Sequence, residues 1–277
     1  MTGNSATTVK PAVPGNSATP ENPAATASSA DAAQSQPLGG RAAHVHTQSP
    51  LGFFCDFDGT ISTKDRITAI MREFVPEASA SLIERVNHRE LSVRAAVEAM
   101  FALIPSARFD EVREFVTSTT VIREGFSRFV DYATEHSWPI AVVSGGFDFF
   151  VDPAIAPWRD RLTVFYNRID TSGEYLRTIW PHPCDALCDA DCGLCKPTIL
   201  RSYEQSVRRS VVIGDGVTDF EAARHADFVY ARASLLTECQ RHGLPHQAFE
   251  TFDDIVADLS SGRAQALLST KRGGANR

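Results

Sequence analysis

Three short apolar runs, residues 51–55, 140–143 and 211–213, each stop at a cluster of small and polar residues. Runs this short and this apolar predict buried strands. Two more, 162–166 and 228–231, continue the series, and 167–180 predicts a hairpin turning at 171–174. Segments of helical period lie between the strands. Strand and helix in alternation predict an α/β fold, a Rossmann-like, mostly parallel sheet flanked by helices. Parallel strands bring their carboxyl ends to one edge, where ligands of such sheets bind. The residues just after each run therefore carry more functional information than the run itself.

The first run ends in Asp56-Phe57-Asp58-Gly59-Thr60. On a strand, residues i and i+2 point the same way, so both carboxylates address one spot. Gly59 permits a sharp turn at the strand's end. A cation such as Mg²⁺, with one carboxylate acting as nucleophile, accounts for the pair; a surface Asp-x-Asp turn is the plainer alternative. The second run ends in Ser144-Gly145-Gly146. A hydroxyl and freed backbone N–H groups at a helix start suit phosphate oxygens, although Ser-Gly-Gly is often only a turn. The third ends in Gly214-Asp215-Gly216-Val217-Thr218-Asp219. Acids at a helix start are common in their own right, but glycine on both sides of Asp215 favours function.

Between the first two strands, residues 64–120 carry three-four apolar spacing, as in Ile67, Ile70, Met71 and Phe74, or Val93, Val97, Met100 and Phe101. They predict a small helical insertion. Its arginines, Arg66, Arg72, Arg85, Arg89 and Arg94, read mostly as helix-surface charges, with one or two available to a substrate anion. Met100, Phe147, Phe149 and Phe150 suggest an apolar pocket, or simply core. The expected organisation is a disordered tail over 1–48, core over 49–63, cap over 64–120, core again over 121–268, and a flexible end over 269–277. The tail is built of Ala, Ser, Thr, Pro, Gly and Asn, too polar to offset its ordering entropy; His44 and His46 within it read as solvated.

The net charge of −7 argues against a nucleic-acid partner. No apolar run approaches the roughly 20 residues of a membrane span, and the first residues lack a secretory pattern. The expected setting is the cytoplasm, where thiols stay reduced. Nothing in the chain specifies an oligomeric state. Four of the six cysteines crowd an insertion over 180–196 as Cys184, Cys188, Cys192 and Cys195, directly before Lys196. They admit three states: a tetrahedral structural Zn²⁺ site, in which His182 can replace one thiolate, labile disulfides, or free thiols. Cys55 and Cys239 read as buried thiols.

Asp56-Phe57-Asp58-Gly59-Thr60, Ser144-Gly145, Lys196 and Gly214-Asp215-Gly216-x-x-Asp219 resemble, in order, the four motifs of the haloacid-dehalogenase-like phosphatases. The match runs from about residue 51 to 232. The helical insertion is similar to the cap of the phosphoserine-phosphatase-like branch. Residues 122–126, 144–150, 180–182, 195–197 and 235–239 resemble the methionine-salvage phosphatases acting on 2-hydroxy-3-keto-5-methylthiopentenyl 1-phosphate. The long N-terminal tail departs from that family's compact start.

The resemblance implies a Mg²⁺-dependent phosphomonoesterase acting on a small phosphorylated metabolite. Asp56 is then the nucleophile and Asp58 the acid and base. Mg²⁺ sits on Asp56, the Asp58 carbonyl and Asp215, with Asp219 ordering the metal surroundings or Lys196. Ser144, Gly145 and Lys196 hold the phosphate. The alternatives are a phosphatase for phosphoserine or another small ester, and an inactive zinc-stabilised binding module.

Overall fold

The central strands are apolar on both faces, and the chain builds a core on each side of them. β1 (Ser49–Cys55) sends Leu51, Phe53 and Cys55 into one apolar cluster and Phe54 into the other. β2 (Ile140–Phe147) divides Ile140 and Val142 from Ala141 and Val143, and β5 (Val207–Gly214) divides Val211 and Ile213 from Val212. This period-two division leaves no polar face, as a strand covered on both sides requires.

The structure, a computed structural model, describes residues 48–88, 90–188, 191 and 193–269. The tail expected over 1–48, Gln48 apart, and the end expected over 269–277, Ser269 apart, lie outside the described residues. So do His44, His46, Arg89 and Cys192.

β3 (Leu162–Asp170), β4 (Arg177–Ile179), β6 (Phe228–Ala231) and β7 (His246–Ala248) complete a seven-stranded sheet in the order β4-β3-β2-β1-β5-β6-β7. β3 and β4 form the antiparallel hairpin, and every other pair is parallel. Cys55 lies opposite both Val142 and Ile213. That register brings the residues after β1, within β2 and after β5 to one edge, where strand order reverses around β1. β7 has no counterpart among the apolar runs: it is three half-polar residues at a sheet edge.

Four helices stand between β1 and the following core helix: α1 (Arg66–Phe74), α2 (Pro76–Asn87), α3 (Val93–Phe101) and α4 (Phe109–Thr119). Their starts are written in the sequence. The Asp65 carboxylate accepts from Thr68 N–H at 2.6 Å, Pro76 opens α2, and Ser92 Oγ accepts from Ala95 N–H at 3.1 Å. The chain enters and leaves this group side by side: Thr63 N–H donates to Val121 O at 2.9 Å and Arg123 N–H to Ile61 O at 2.7 Å. Phe101 meets Phe147, and Phe109 meets Phe149, edge to face at 4.7 and 5.2 Å. Phe147, Phe149 and Phe150 thus serve the packing between these helices and the sheet.

α5 (Phe126–Glu135) precedes β2; α6 (Asp148–Ile155) follows it; α7 (Lys196–Ser202) precedes β5; and α8 (Phe220–Ala223) and α9 (Ala233–His242) flank β6. Ile255, Val256 and Leu259 predict one amphipathic helix from Phe252; the chain forms two, α10 (Phe252–Asp258) and α11 (Ala264–Ser269). Gly262, with φ +118°, breaks it in a conformation closed to other residues. No helix among the described residues is long and apolar enough to cross a membrane.

Candidate active site

The aspartate pair is displayed differently from the i, i+2 strand expectation. β1 ends at Cys55; Asp56 is extended, and Phe57–Ile61 form a tight turn in which Gly59 has φ +79°. The Asp56 N–H still donates to Ile213 O at 2.9 Å, so its backbone is fixed to β5. Asp58 belongs to the turn, and its Oδ1 accepts from the Arg66 N–H at 2.8 Å, at the start of α1. The two carboxylates share a locality through the turn rather than through the pleat.

Lys196 is the first residue of α7, with Pro197 behind it. Its Nζ donates to Asp56 Oδ1 and to Asp219 Oδ1, both at 2.6 Å. All three residues are nearly buried, at 7, 7 and 1 % exposure for Asp56, Lys196 and Asp219. The other Asp219 oxygen accepts from the N–H groups of Asp215 and Gly216 at 3.1 and 3.0 Å. Asp219 therefore fixes both the lysine and the loop after β5.

Asp215 Oδ1 accepts from Thr60 Oγ1 at 2.9 Å. Gly59 lies so close that a Cβ there would stand 2.2 Å from Asp215 Oδ2. The turn's own carbonyls are held by two arginines. Arg123 donates through Nη2 to Gly59 O at 2.6 Å and through Nε to Thr60 O at 2.7 Å; Arg232 Nη1 donates to Gly59 O at 2.9 Å. Arg66, read as a surface charge, is 2 % exposed and donates to the Lys64 and Thr119 carbonyls. It ties the entry to α1 to the end of α4.

In β2 the register shifts between Val143 and Phe147, the bulge expected where a strand gives up its ladder for a ligand. Ser144 is fully buried; its Oγ accepts from the Gly146 N–H at 2.9 Å. Gly145 lines a cavity, and no neighbouring atom lies within 4 Å of where its Cβ would be. The buried Asn167 of β3 donates through Nδ2 to Gly145 O at 2.9 Å, which holds that peptide against β3.

Four carboxylates around one lysine leave excess negative charge. Burial, and then the Asp219 charge, push the Asp56 carboxyl up to about 8 despite Lys196. Burial also raises Asp58 well above the carboxylate range, and burial with Asp219 raises Asp215. Burial works against the Lys196 charge, but Asp219 and Asp56 outweigh it and hold the ammonium. Carboxylate oxygens of Asp56, Asp215 and Asp219 all lie within 4.8 Å of one another. Oxygen donors with unrelieved negative charge fit a hard divalent cation such as Mg²⁺. Asp56 and Asp215 line the cavity, while Asp219 faces Lys196 and backbone N–H groups.

The cavity has a volume of about 550 Å³. Its lining combines Asp56, Asp58, Gly145, Lys196 and Asp215 with Lys64, Asp65 and Arg232, and with Ile83 and Val86 of α2 and Val93, Val97 and Met100 of α3. Of the apolar pocket candidates, Met100 reaches it and Phe147, Phe149 and Phe150 do not; the aromatic ring that does is Trp180. Beside Lys196, thiols of Cys184, Cys188 and Cys195 lie within 4.8 Å of one another. Cys55 is fully buried, and burial raises its thiol well above the usual range.

Sequence reasoning alone assigns no role to Thr60, Arg123, Asn167 or Arg232. Thr60 and Asn167 act through single hydrogen bonds that any polar residue could make, and Arg232 sits alone after β6. Arg123 lies in the 122–126 stretch, but only the fold shows the carbonyls it holds.

Residues 53–224 match the family model described as haloacid dehalogenase-like hydrolase. The chain is 46 % identical over 209 residues to a protein of Geobacillus thermodenitrificans (strain NG80-2) named 2-hydroxy-3-keto-5-methylthiopentenyl-1-phosphate phosphatase; the match covers 76 % of this chain and 95 % of that one. A protein of the same name from Exiguobacterium sp. (strain ATCC BAA-1283 / AT1b) is 46 % identical over 203 residues, covering 73 % and 94 %. Among solved structures, a phospho-aspartyl intermediate analogue of phosphoserine phosphatase superimposes with a TM-score of 0.58 at 19 % identity, over 76 % of this chain and 99 % of that one. That last likeness speaks to the fold. With the four motifs gathered at the carboxyl edge of its sheet, the chain belongs to the haloacid dehalogenase-like hydrolase family.

Proposed function

We propose that this protein is a Mg²⁺-dependent phosphomonoesterase that works through a phosphoryl group carried on Asp56. The observation that carries the proposal is the junction of Asp56, Lys196 and Asp219 beside a cavity that Asp56 and Lys196 line together with apolar side chains of α2 and α3. Asp56, the Asp58 carbonyl and Asp215 would hold the ion. When bound it offsets the like-charge repulsion between a carboxylate and a phosphate, ~4 kcal/mol per charge pair at 4 Å and an effective dielectric of 20.

In the first step an Asp56 oxygen attacks phosphorus and the bond to the ester oxygen breaks. The leaving oxygen takes a proton from Asp58, whose raised pKa keeps that proton available nearer neutrality than on an exposed aspartate. Asp58 then removes a proton from water, which attacks phosphorus, releases phosphate and frees Asp56. Lys196, the Gly145 N–H and Ser144 stabilise the oxygens that carry the transition-state charge. Asp219 holds Lys196 in line.

The substrate we propose is 2-hydroxy-3-keto-5-methylthiopentenyl 1-phosphate, in methionine salvage. Support comes from the names of the relatives at 46 % identity and from the cavity. Asp56, Gly145 and Lys196 in its lining suit a phosphate group, and Ile83, Val86, Val97 and Met100 suit a short thioether chain. The proposed organisation is a core over 49–63 and 121–268, with a cap over 64–120 and the insertion over 180–196. A structural zinc ion on Cys184, Cys188 and Cys195 belongs to the same reading, and so does a reducing, cytoplasmic setting. The fourth thiol of the motif, Cys192, lies outside the described residues.

The test is phosphate release with Mg²⁺ from the methylthio enol phosphate, phosphoserine and simple sugar phosphates in parallel. Preference for the enol phosphate is expected. Preference for another ester would discard the pathway, and no release from any would favour a binding scaffold.

A further inference from the structure

Between β4 and α7 the described residues from Trp180 to Cys195 carry no regular element. That connection exceeds the roughly 12–15 residues a structureless connection commonly reaches inside a compact domain. It is not held by its own core: Leu187 is 76 % exposed, and Pro181, Pro183 and Ala186 do not join either apolar cluster. Yet its last residues are placed with care. Gly193 has φ +81°, and a Cβ there would stand 2.5 Å from the Trp180 ring. Leu194 lines the cavity, Cys195 is fully buried, and Lys196 is the proposed catalytic cation. The Cys195 N–H donates to His182 O at 3.0 Å, and Thr198 Oγ1 lies 3.0 Å from Cys195 Sγ.

The same loop reaches α3, which also lines the cavity. Asp191, with φ +46°, accepts from Ser92 Oγ at 2.7 Å and from Arg94 Nε at 2.6 Å. Ser92 is the capping residue of α3, and α3 presents Val93, Val97 and Met100 to the cavity. At its far end α3 is tied differently: Leu176 N–H donates to Ile104 O, and Ser106 N–H to Glu174 O, both at 2.9 Å. One end is held by backbone pairing with the hairpin, the other by two side-chain contacts to Asp191. The Arg94–Asp191 pair is over two-fifths exposed on both sides, and such pairs hold weakly on their own. Their effect depends on Asp191 being presented in place.

We infer that a zinc ion on Cys184, Cys188 and Cys195 is a positioning device with two outputs: it sets Lys196 between Asp56 and Asp219, and it presents Asp191 to the first turn of α3. Three Sγ atoms within 4.8 Å need to draw in only modestly to the about 3.8 Å spacing of a tetrahedral site with Zn–S near 2.3 Å. Thiolate donors select zinc over the hard cation of the carboxylate site. The inference rests on the zinc reading above and adds what the ion does: it links cation placement to the standing of the cap wall without touching substrate.

The experiment uses the full chain purified under reducing conditions. Zinc is measured by elemental analysis, then stripped with a chelator, and Mg²⁺ is restored in excess. About one zinc per chain is expected. Stripping should speed amide exchange in 93–101 and 196–202 and lower kcat for p-nitrophenyl phosphate by about 10- to 100-fold. One equivalent of zinc should reverse both. Asp191→Asn should keep its zinc, speed exchange in 93–97 alone and raise KM for the preferred ester while kcat holds. A fully active protein without zinc overturns the zinc reading itself. A zinc protein whose exchange and kcat ignore the ion's removal leaves that reading standing and overturns the inference. So does an Asp191→Asn protein with unchanged exchange in α3.

Discussion

Replacing Lys196 by Met probes the site through stability as well as rate. The ammonium lies 2.6 Å from both Asp56 Oδ1 and Asp219 Oδ1, and none of the three groups is more than 8 % exposed. Methionine keeps the stem's bulk and removes the charge. Breaking a buried pair from one side costs about 3–5 kcal/mol. The cost has a pH signature. Asp56 has a folded pKa of about 8, above its unfolded value, so its contribution is fully present at low pH and is lost as pH rises through 8. Lys196 lowers that folded pKa, and without it the value climbs. Above pH 8 the parent stops losing stability on this account while the variant continues, by about 1.4 kcal/mol per pH unit. Urea unfolding of both proteins in EDTA at pH 7 and pH 9 reads this directly. A deficit of about 3–5 kcal/mol at pH 7 that widens at pH 9 is expected. A deficit under about 1 kcal/mol, the range of an exposed pair, or one that narrows at pH 9, would refute the charge geometry. In kcat the loss should be about 10²–10³-fold, as for removal of one transition-state donor.

Gly59→Ala puts a Cβ 2.2 Å from Asp215 Oδ2 at φ +79°; it should raise the Mg²⁺ concentration for half-activation and cost about 1–2 kcal/mol in backbone strain, both seen by titration and urea unfolding. Asn167→Ala removes the hydrogen bond to the part-buried Gly145 O, a loss of about 0.5–1.5 kcal/mol, and inorganic phosphate should inhibit more weakly. Chelation should abolish turnover and Mg²⁺ restore it, whereas Ca²⁺, which takes about 6–8 ligands at longer distances, should not; equal rates with both ions would argue against the carboxylate site.

β1, β2 and β5 were legible because each is apolar on both faces, and parallel pairing then fixed which residues met at an edge. Asp56, Gly145, Asp215 and Asp219 follow from that topology, whereas Lys196 follows no strand and was singled out through the family resemblance. Arg66 did not. Its spacing on α1 matched a surface charge, and only the fold shows the carbonyls of Lys64 and Thr119 around it. Asn167 was illegible for a related reason: its role is to hold a peptide of the neighbouring strand, a contact set by register. The split of the C-terminal helix at Gly262 was missed because apolar spacing carries across a kink. Phe147, Phe149 and Phe150 sat near the motif yet pack between helices and sheet, since aromatic residues beside a site serve core and ligand alike.

The central claim is that phosphorus passes through Asp56. The direct measurement is a borohydride quench during turnover of the preferred ester with Mg²⁺, followed by peptide mass analysis. Reduction of a phosphorylated aspartate gives homoserine, and the account predicts that change at position 56, absent without substrate and absent in Asp56→Asn, which should also lose turnover. Full turnover by Asp56→Asn, or a trapped group at Asp58 or Asp215 instead, would contradict it.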